Sequence, residues 1–221
     1  MSKNVVITGA NRGIGLSLSQ HYQDNGWQVH GICRNSSAEL DKSGAQVIQG
    51  IDVGNDESIE QLADELAATP IDLLINNAGI LRDEVLGEID YDSIQTQFAI
   101  NAIAPLKVTE ALQDNFTMNA KLAMITSRMG SIEDNTSGGR YGYRMSKAAL
   151  NAAAMSLSHD LRAQGVAIGI IHPGFVSTDM TNGNGDIKPD HAAQNIVQRI
   201  KELNLDNSGT FWHSNGEVLP W

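Results

Sequence analysis

Tyr143 and Lys147 stand four residues apart in the run Tyr143-Arg144-Met145-Ser146-Lys147. On a helix that spacing puts both side chains on one face. A phenol ionises near pH 10, so exchanging protons at neutral pH requires a lowered pKa, and a neighbouring ammonium supplies it by favouring the phenolate. The pair could therefore pass a proton to or from a reacting oxygen. Such pairs also arise by chance, so this one decides nothing alone. Tyr141 has Met145 four residues on instead of a lysine, and it reads as a pocket wall.

A second candidate is the glycine-rich stretch Thr8-Gly9-Ala10-Asn11-Arg12-Gly13-Ile14-Gly15, between the apolar run Val5–Thr8 and an amphipathic segment. Glycines there permit a tight turn, and free N–H groups at the helix start would face a pyrophosphate. The same glycines would equally serve helix–strand packing. The spacing is G-x3-G-x-G with no Lys-Ser/Thr after it, which excludes a P-loop. The second apolar run ends Gly31-Ile32-Cys33-Arg34-Asn35-Ser36, with an arginine and no carboxylate. A carboxylate at that place suits the ribose hydroxyl of NAD, and an arginine suits the 2′-phosphate of NADP. Arg12 and Arg34 could clamp that phosphate with two guanidinium groups, or they could simply face solvent. The expected cofactor is NADP(H).

Positioning these groups requires strands and helices in alternation. Short apolar runs occupy Val5–Thr8, Gln28–Cys33, Gln46–Asp52, Ile71–Asn76, Lys121–Ser127, Val166–His172 and Gly209–Trp212. Helical patterns lie between them at Gly13–Asn25, Ala38–Ser43, Asn55–Ala68, Ser93–Met118, Tyr143–Gln164 and Asp190–Leu203. In the third, Ile59, Leu62, Ala63 and Leu66 recur at helical spacing, with Asn55 or Asp56 as the cap. Runs that are apolar without alternation, separated by helices, imply a parallel sheet covered on both faces. The fold class is α/β, a single doubly wound sheet of about seven strands.

Composition narrows the rest. The 221 residues suit one domain, 1–221, and 41% hydrophobic against 19% charged residues argues for a large core. Fifteen Lys+Arg against 26 Asp+Glu leave a net charge of −11, which argues against nucleic acid or an anionic membrane as partner. Cys33 is the only cysteine, so neither an intramolecular disulfide nor a cysteine metal cluster is expected. The six histidines form no H-x-x-x-H pair, so no metal is expected either. The acidic run Asp56, Glu57, Glu60, Asp64 and Glu65 reads as a solvated helix face. Met118, Met124, Met129, Met145 and Met155 read as gap fillers or pocket lining. Without a signal-like N-terminus or a long apolar span, the expectation is a cytoplasmic protein.

Taken together, Thr8–Gly15, Asn76-Asn77-Ala78-Gly79, Asn101, Ser127, Tyr143-x3-Lys147 and Pro173-Gly174 occur in the order and spacing of the short-chain dehydrogenase/reductase family. The chain resembles that family from residue 4 to residue 221. The stretch from Gly130-Ser131-Ile132 to Lys147 is similar to the C-factor-like and sniffer-like carbonyl reductases. The resemblance implies a Rossmann fold and an oxidoreductase acting on a small carbonyl or alcohol. It implies that Tyr143 is the general acid or base, that Ser127 holds the carbonyl oxygen, and that Lys147 lowers the tyrosine pKa and binds the nicotinamide ribose. Asn101 would anchor a water relay.

For the cofactor it implies Gly9, Asn11, Arg12, Gly13, Ile14 and Gly15 at the pyrophosphate and Arg34 at the 2′-phosphate. Asp52 and Val53 would meet adenine, and Asn77, Ala78 and Gly79 the adenosine ribose. Val176 and Thr178 would orient the carboxamide, with Pro173 and Gly174 also among the cofactor contacts. Family members commonly pair through the two long helices, so a homodimer or homotetramer is expected. Two departures stand out: Ser127 and Tyr143 are 16 residues apart, slightly more than is common, and the substrate loop near 175–190 is short. A non-enzymatic dinucleotide sensor is the alternative, though such proteins typically lose the tyrosine or the lysine. A nucleotide-sugar epimerase would need a C-terminal domain, for which there is no room.

Overall fold

A computed structural model describes residues 2–221. Seven strands form in chain order: β1 (Asn4–Thr8), β2 (Gln28–Cys33), β3 (Gln46–Gln49), β4 (Ile71–Asn76), β5 (Phe116–Ile125), β6 (Ala167–His172) and β7 (Phe211–His213). They make one all-parallel sheet in the order β3-β2-β1-β4-β5-β6-β7. Chain direction across the sheet reverses between β1 and β4, so the crevice at their carboxyl ends is where such sheets bind ligands.

Helices α1 (Gly13–Asp24), α2 (Ala38–Asp41), α3 (Asp56–Leu66), α4 (Tyr91–Phe98), α5 (Ala104–Leu112), α6 (Tyr141–Asp160) and α7 (Pro189–Glu202) cover both faces. Side chains alternate across a strand, so Val5 and Ile7 point one way and Val6 the other. Val5, Ile7, Leu73 and Ile75 pack under Leu18 and Tyr22 of α1 and Ile196 and Ile200 of α7. Val6, Leu74 and Leu122 pack under Leu62 and Leu66 of α3, Val108 and Leu112 of α5 and Leu150 of α6. Burying each such side chain contributes roughly 1.5 to 3 kcal/mol against the entropy of ordering it. Asn55 caps α3, its Oδ1 accepting from the Ser58 N–H at 2.8 Å. Ile59, Leu62 and Leu66 are buried, while Ala63 is only partly covered.

The structure corrects one long element. The helix expected over Ser93–Met118 is α4, a π-turn (Ala99–Ile103), α5 and a 3₁₀ turn (Gln113–Asn115), and β5 already begins at Phe116. Pro105 has no N–H to give the Asn101 carbonyl, so an α ladder cannot run through this point. At the far end, Asn115 Nδ2 donates to the carbonyls of Leu66 and Thr69 and pins the chain to the loop before β4. Met118 then falls on an irregular, exposed part of β5 and fills no core gap. Met145 is also half exposed, against the expectation, whereas Met124 is buried. β3 stops at Gln49 and leaves Asp52 and Val53 in the following turn; β7 lies at Phe211–His213, shifted from Gly209–Trp212.

Candidate active site

The turn between β1 and α1 is fixed by contacts that sequence spacing does not reveal. Asn77 Nδ2 donates to the carbonyls of Thr8 (3.0 Å) and Gly9 (3.2 Å), and Thr8 Oγ1 accepts from the N–H groups of Asn77 and Ala78. The segment after β4 is thereby stitched to the glycine turn. Gly15 allows the approach: a Cβ there would lie 2.1 Å from the Gly9 carbonyl oxygen, far inside van der Waals contact. Arg12 precedes the first helical residue, and no side chain among the described residues caps it. The first turn of α1 holds no acidic residue, so its free N–H groups and the helix dipole present a positive end.

That helix start opens into a cleft of about 830 Å³. Gly9, Asn11, Arg12, Gly13 and Ile14 of the glycine turn line it, with Arg34, Asp52 and Val53 beyond β2 and β3, and Asn77, Ala78 and Gly79 beyond β4. Pro173 and Thr178, after β6, and Tyr143 and Lys147 of α6 line it too. Gly15, Gly174 and Val176 are not among the residues that line it. Sequence reasoning missed Ser37, Glu39, Ile80 and Thr126, which also line the cleft, while Asp179 and Met180 reach it from the expected substrate loop near 175–190. Nothing in the local pattern of the first four marks them; only the fold brings them there.

Neither arginine is free of partners. Arg34 Nη1 is 3.8 Å from Asp52, and Arg12 Nη1 is 3.2 Å from Asp179. Both pairs are well exposed, and exposed pairs contribute only about 0 to 1 kcal/mol, so either can reorganise toward an arriving anion.

Asn101 lies in the π-turn. Its Nδ2 donates to the Ile80 carbonyl (2.8 Å) and to Ser146 Oγ (3.0 Å), and its Oδ1 accepts from the Ile80 N–H (2.8 Å). The side chain is thus committed to structure, while Pro105 leaves the backbone carbonyl without its helical donor. Ser127 follows β5, and its Oγ accepts from the Met129 N–H at 3.1 Å. Thr126 donates to Asn151 Oδ1 (2.7 Å), tying this strand end to α6. Lys147 Nζ donates to the Ile125 carbonyl at 2.9 Å and stands 6.0 Å from the Tyr143 ring centre. Tyr141 opens α6 but does not reach the cleft wall, contrary to the sequence reading.

Burial governs the electrostatics here. It lowers the Lys147 pKa to about 8. It raises that of Tyr143, with the Ser127 hydroxyl and the Arg140 guanidinium pulling the other way. The direction is opposite to what the Tyr–Lys spacing alone predicts, because removing the phenolate from water outweighs its neighbours. Tyr143 is therefore a held proton, suited to donation.

A family model described as short chain dehydrogenase matches residues 3–189. The chain belongs to the short-chain dehydrogenase/reductase family. Among curated members, the 1-hydroxy-2-glutathionyl-2-methyl-3-butene dehydrogenase of Rhodococcus sp. strain AD45 is 39% identical, over 98% of this chain and 99% of that one. The C-signal protein of Myxococcus xanthus is 41% identical over 72% of this chain and 98% of its own. Among solved structures, the carbonyl reductase Sniffer of D. melanogaster superposes with a TM-score of 0.90, at 29% identity over the whole of both chains. The NADPH-bound carbonyl reductase from chicken fatty liver gives 0.88, at 28% identity over 100% and 99%.

This short-chain dehydrogenase also carries a histidine pair beside the site that its sequence does not announce. His172 ends β6 and His213 ends β7, with ring centres 4.9 Å apart and edges perpendicular to faces. Burial, then His213 and Arg128, depress the His172 pKa to about 3, and its Nδ1 has no partner among the described residues. The fold holds the neutral ring, whereas the unfolded chain takes up a proton near pH 6.5. Stability from this group is complete above about pH 6.5 and is lost as pH falls toward 3, by at most about 1.4 kcal/mol per pH unit. Urea midpoints measured at pH 7.5 and 5 should therefore fall further for the wild type than for His172→Gln. Equal falls would remove His172 as the cause.

Proposed function

We propose that this protein is an NADPH-dependent oxidoreductase that reduces the carbonyl of an aldehyde, ketone or quinone to an alcohol, or runs the reverse oxidation. The observation that carries the reading is that Tyr143 and Lys147 line the same cleft as Arg34, with the Ser127 hydroxyl near enough to the phenol to pull its pKa down. The uncapped start of α1 fits a pyrophosphate, and Arg34 fits a 2′-phosphate. In this reading Gly9, Asn11, Arg12, Gly13, Ile14 and Gly15 shape the pyrophosphate seat, and Asn77, Ala78 and Gly79 meet the ribose. Asp52 and Val53 border adenine. Pro173, Gly174, Val176 and Thr178 form the carboxamide side.

The bound nucleotide supplies the hydride. Ser127 Oγ donates a hydrogen bond to the substrate oxygen and fixes its place. Tyr143 Oη then gives up its proton to that oxygen as negative charge develops on it. Lys147, protonated at neutral pH and held by the Ile125 carbonyl, offsets the charge left on the phenolate. Its ammonium thus acts on the intermediate state more than on the resting phenol. Asn101 ties Ile80, in the loop after β4, to Ser146, and its carbonyl would anchor the water relay that reprotonates the Tyr143 phenolate by way of Lys147.

The relatives support a hydroxyl or carbonyl as the reacting group, and residues 1–221 act in this reading as one catalytic domain with its substrate loop near 175–190. The partner is a small molecule, not nucleic acid or membrane, in a cytoplasmic setting. No helix among the described residues is long and apolar enough to cross a membrane. A homodimer or homotetramer through α4, α5 and α6 fits the exposed Tyr91, Ile103, Leu106 and Met145. Light scattering that returns a single 23.8 kDa chain at all concentrations would overturn that assembly. The reaction is tested with a panel of aldehydes, ketones and quinones, following NADPH absorbance. Turnover of any supports the reading, and none across the panel in either direction leaves the dinucleotide-sensing alternative.

A further inference from the structure

The catalytic helix α6 begins at Tyr141, two residues before Tyr143, and its first turn must find partners for N–H groups with no intrahelical acceptor. The loop after β4 supplies one. Glu84 is 3% exposed, and its Oε2 accepts the Gly142 N–H at 3.0 Å. Its Oε1 accepts from Gln97 Nε2 and, at 3.2 Å, from Ser93 Oγ of α4. Gln97 in turn is fixed by the Arg82 N–H, which donates to its Oε1 at 3.1 Å. The Glu84 carbonyl accepts the Arg140 N–H at 3.1 Å, and Arg140 Nε meets Asp83. A side chain at position 142 would push this pair apart, since a Cβ there would stand 2.6 Å from Gln97 Nε2 and 2.9 Å from Glu84 Oε1.

We propose that Glu84 is a positioning residue for Tyr143: its carboxylate, paired with the Gln97 amide, clamps the first turn of α6 and so sets where the phenol stands. The role of Tyr143 as proton donor rests on the function proposed above; the clamp itself rests only on the contacts.

The hydrogen-bond chain has a polarity that makes the idea testable. Both of its ends, the Arg82 and Gly142 N–H groups, are donors. One carboxylate and one amide between them match every donor to an acceptor; two amides set NH₂ against NH₂ at the centre. Glu84→Gln is therefore damaging despite its near-identical shape, while Glu84→Gln combined with Gln97→Glu restores the match with the acid on the other side. Loss of a buried acceptor typically costs stability too, so the double variant separates the two effects.

The experiment compares wild type, Glu84→Gln and the double variant by steady-state kinetics with NADPH, by NADPH binding, and by amide hydrogen exchange. Glu84→Gln should lower kcat roughly 10- to 100-fold, since displacing a reacting group by about 1 Å is enough for that. Its NADPH dissociation constant should stay within about threefold, because Glu84 does not line the cleft. Exchange should quicken over residues 141–147 and not over 150–160. The double variant should return both readouts to near wild type. Wild-type kcat and exchange in Glu84→Gln, or a double variant no better than the single one, overturns the clamp. If Glu84→Gln does not fold, the double variant alone decides by folding or failing to. Should the wild type reduce no carbonyl, the proposed reaction fails, and exchange still settles the clamp.

Discussion

Tyr143→Phe should lower kcat by on the order of 10²-fold or more while leaving NADPH affinity nearly intact. The substitution removes one oxygen from a side chain that is buried on α6, and the ring continues to fill the same space. What disappears is the proton, and burial, by raising the phenol pKa, keeps that proton in place until the substrate oxygen demands it. Lys147→Ala should behave differently, losing both turnover and cofactor binding. It removes the ammonium that in the proposed reaction offsets the phenolate, and it leaves the Ile125 carbonyl without the Lys147 donor. Initial rates at saturating NADPH, with binding followed by nucleotide fluorescence, separate the two patterns. A Tyr143→Phe variant that turns over near the wild-type rate would sink the mechanism.

Wild-type protein should favour NADPH over NADH by roughly 30- to 150-fold in dissociation constant, about 2 to 3 kcal/mol. One charge-assisted hydrogen bond contributes roughly 1.5 to 3 kcal/mol, and two exposed arginines must be discounted for solvent. Against this stand the loosening of the Arg34–Asp52 and Arg12–Asp179 pairs, at about 0 to 1 kcal/mol each. The net charge of −11 also opposes an anion, but exposed charges more than a Debye length of about 8 Å away are largely screened. The local guanidinium groups should prevail, and the preference should shrink as salt rises. Arg34→Asp places a carboxylate near Asp52 and Glu39, which repels the phosphate and offers the 2′-hydroxyl an acceptor, so selectivity should move toward NADH. Equal affinity for both cofactors in the wild type, or an unchanged ratio in the variant, would show that Arg34 does not read the phosphate.

The parts of this molecule fixed by local rules were open to reading from the chain. Unalternating apolar runs such as Ile71–Asn76 declare strands buried on both faces, so the parallel sheet and its helical cover follow from pattern alone. Glycine spacing at Gly9–Gly15 and the four-residue step from Tyr143 to Lys147 mark two parts of the candidate site, because turn geometry and helical period are local. The resemblance carried by those motifs pointed to the family before any coordinates did.

Three-dimensional packing decided the rest. The long helix breaks at Pro105, a local signal masked by the unbroken hydrophobic period, but it ends where Asn115 reaches back to the loop before β4, a contact only the fold supplies. The rise in the Tyr143 pKa depends on how completely the phenol is buried, which no spacing of residues reports. Asp52 and Asp179 lie 18 and 167 residues from the arginines they meet, and Glu84 lies 58 from the amide it holds. Hydrogen bonds and desolvation act over a few ångströms of space, whereas sequence records only neighbours along the chain, so contacts of this reach were decided by the fold.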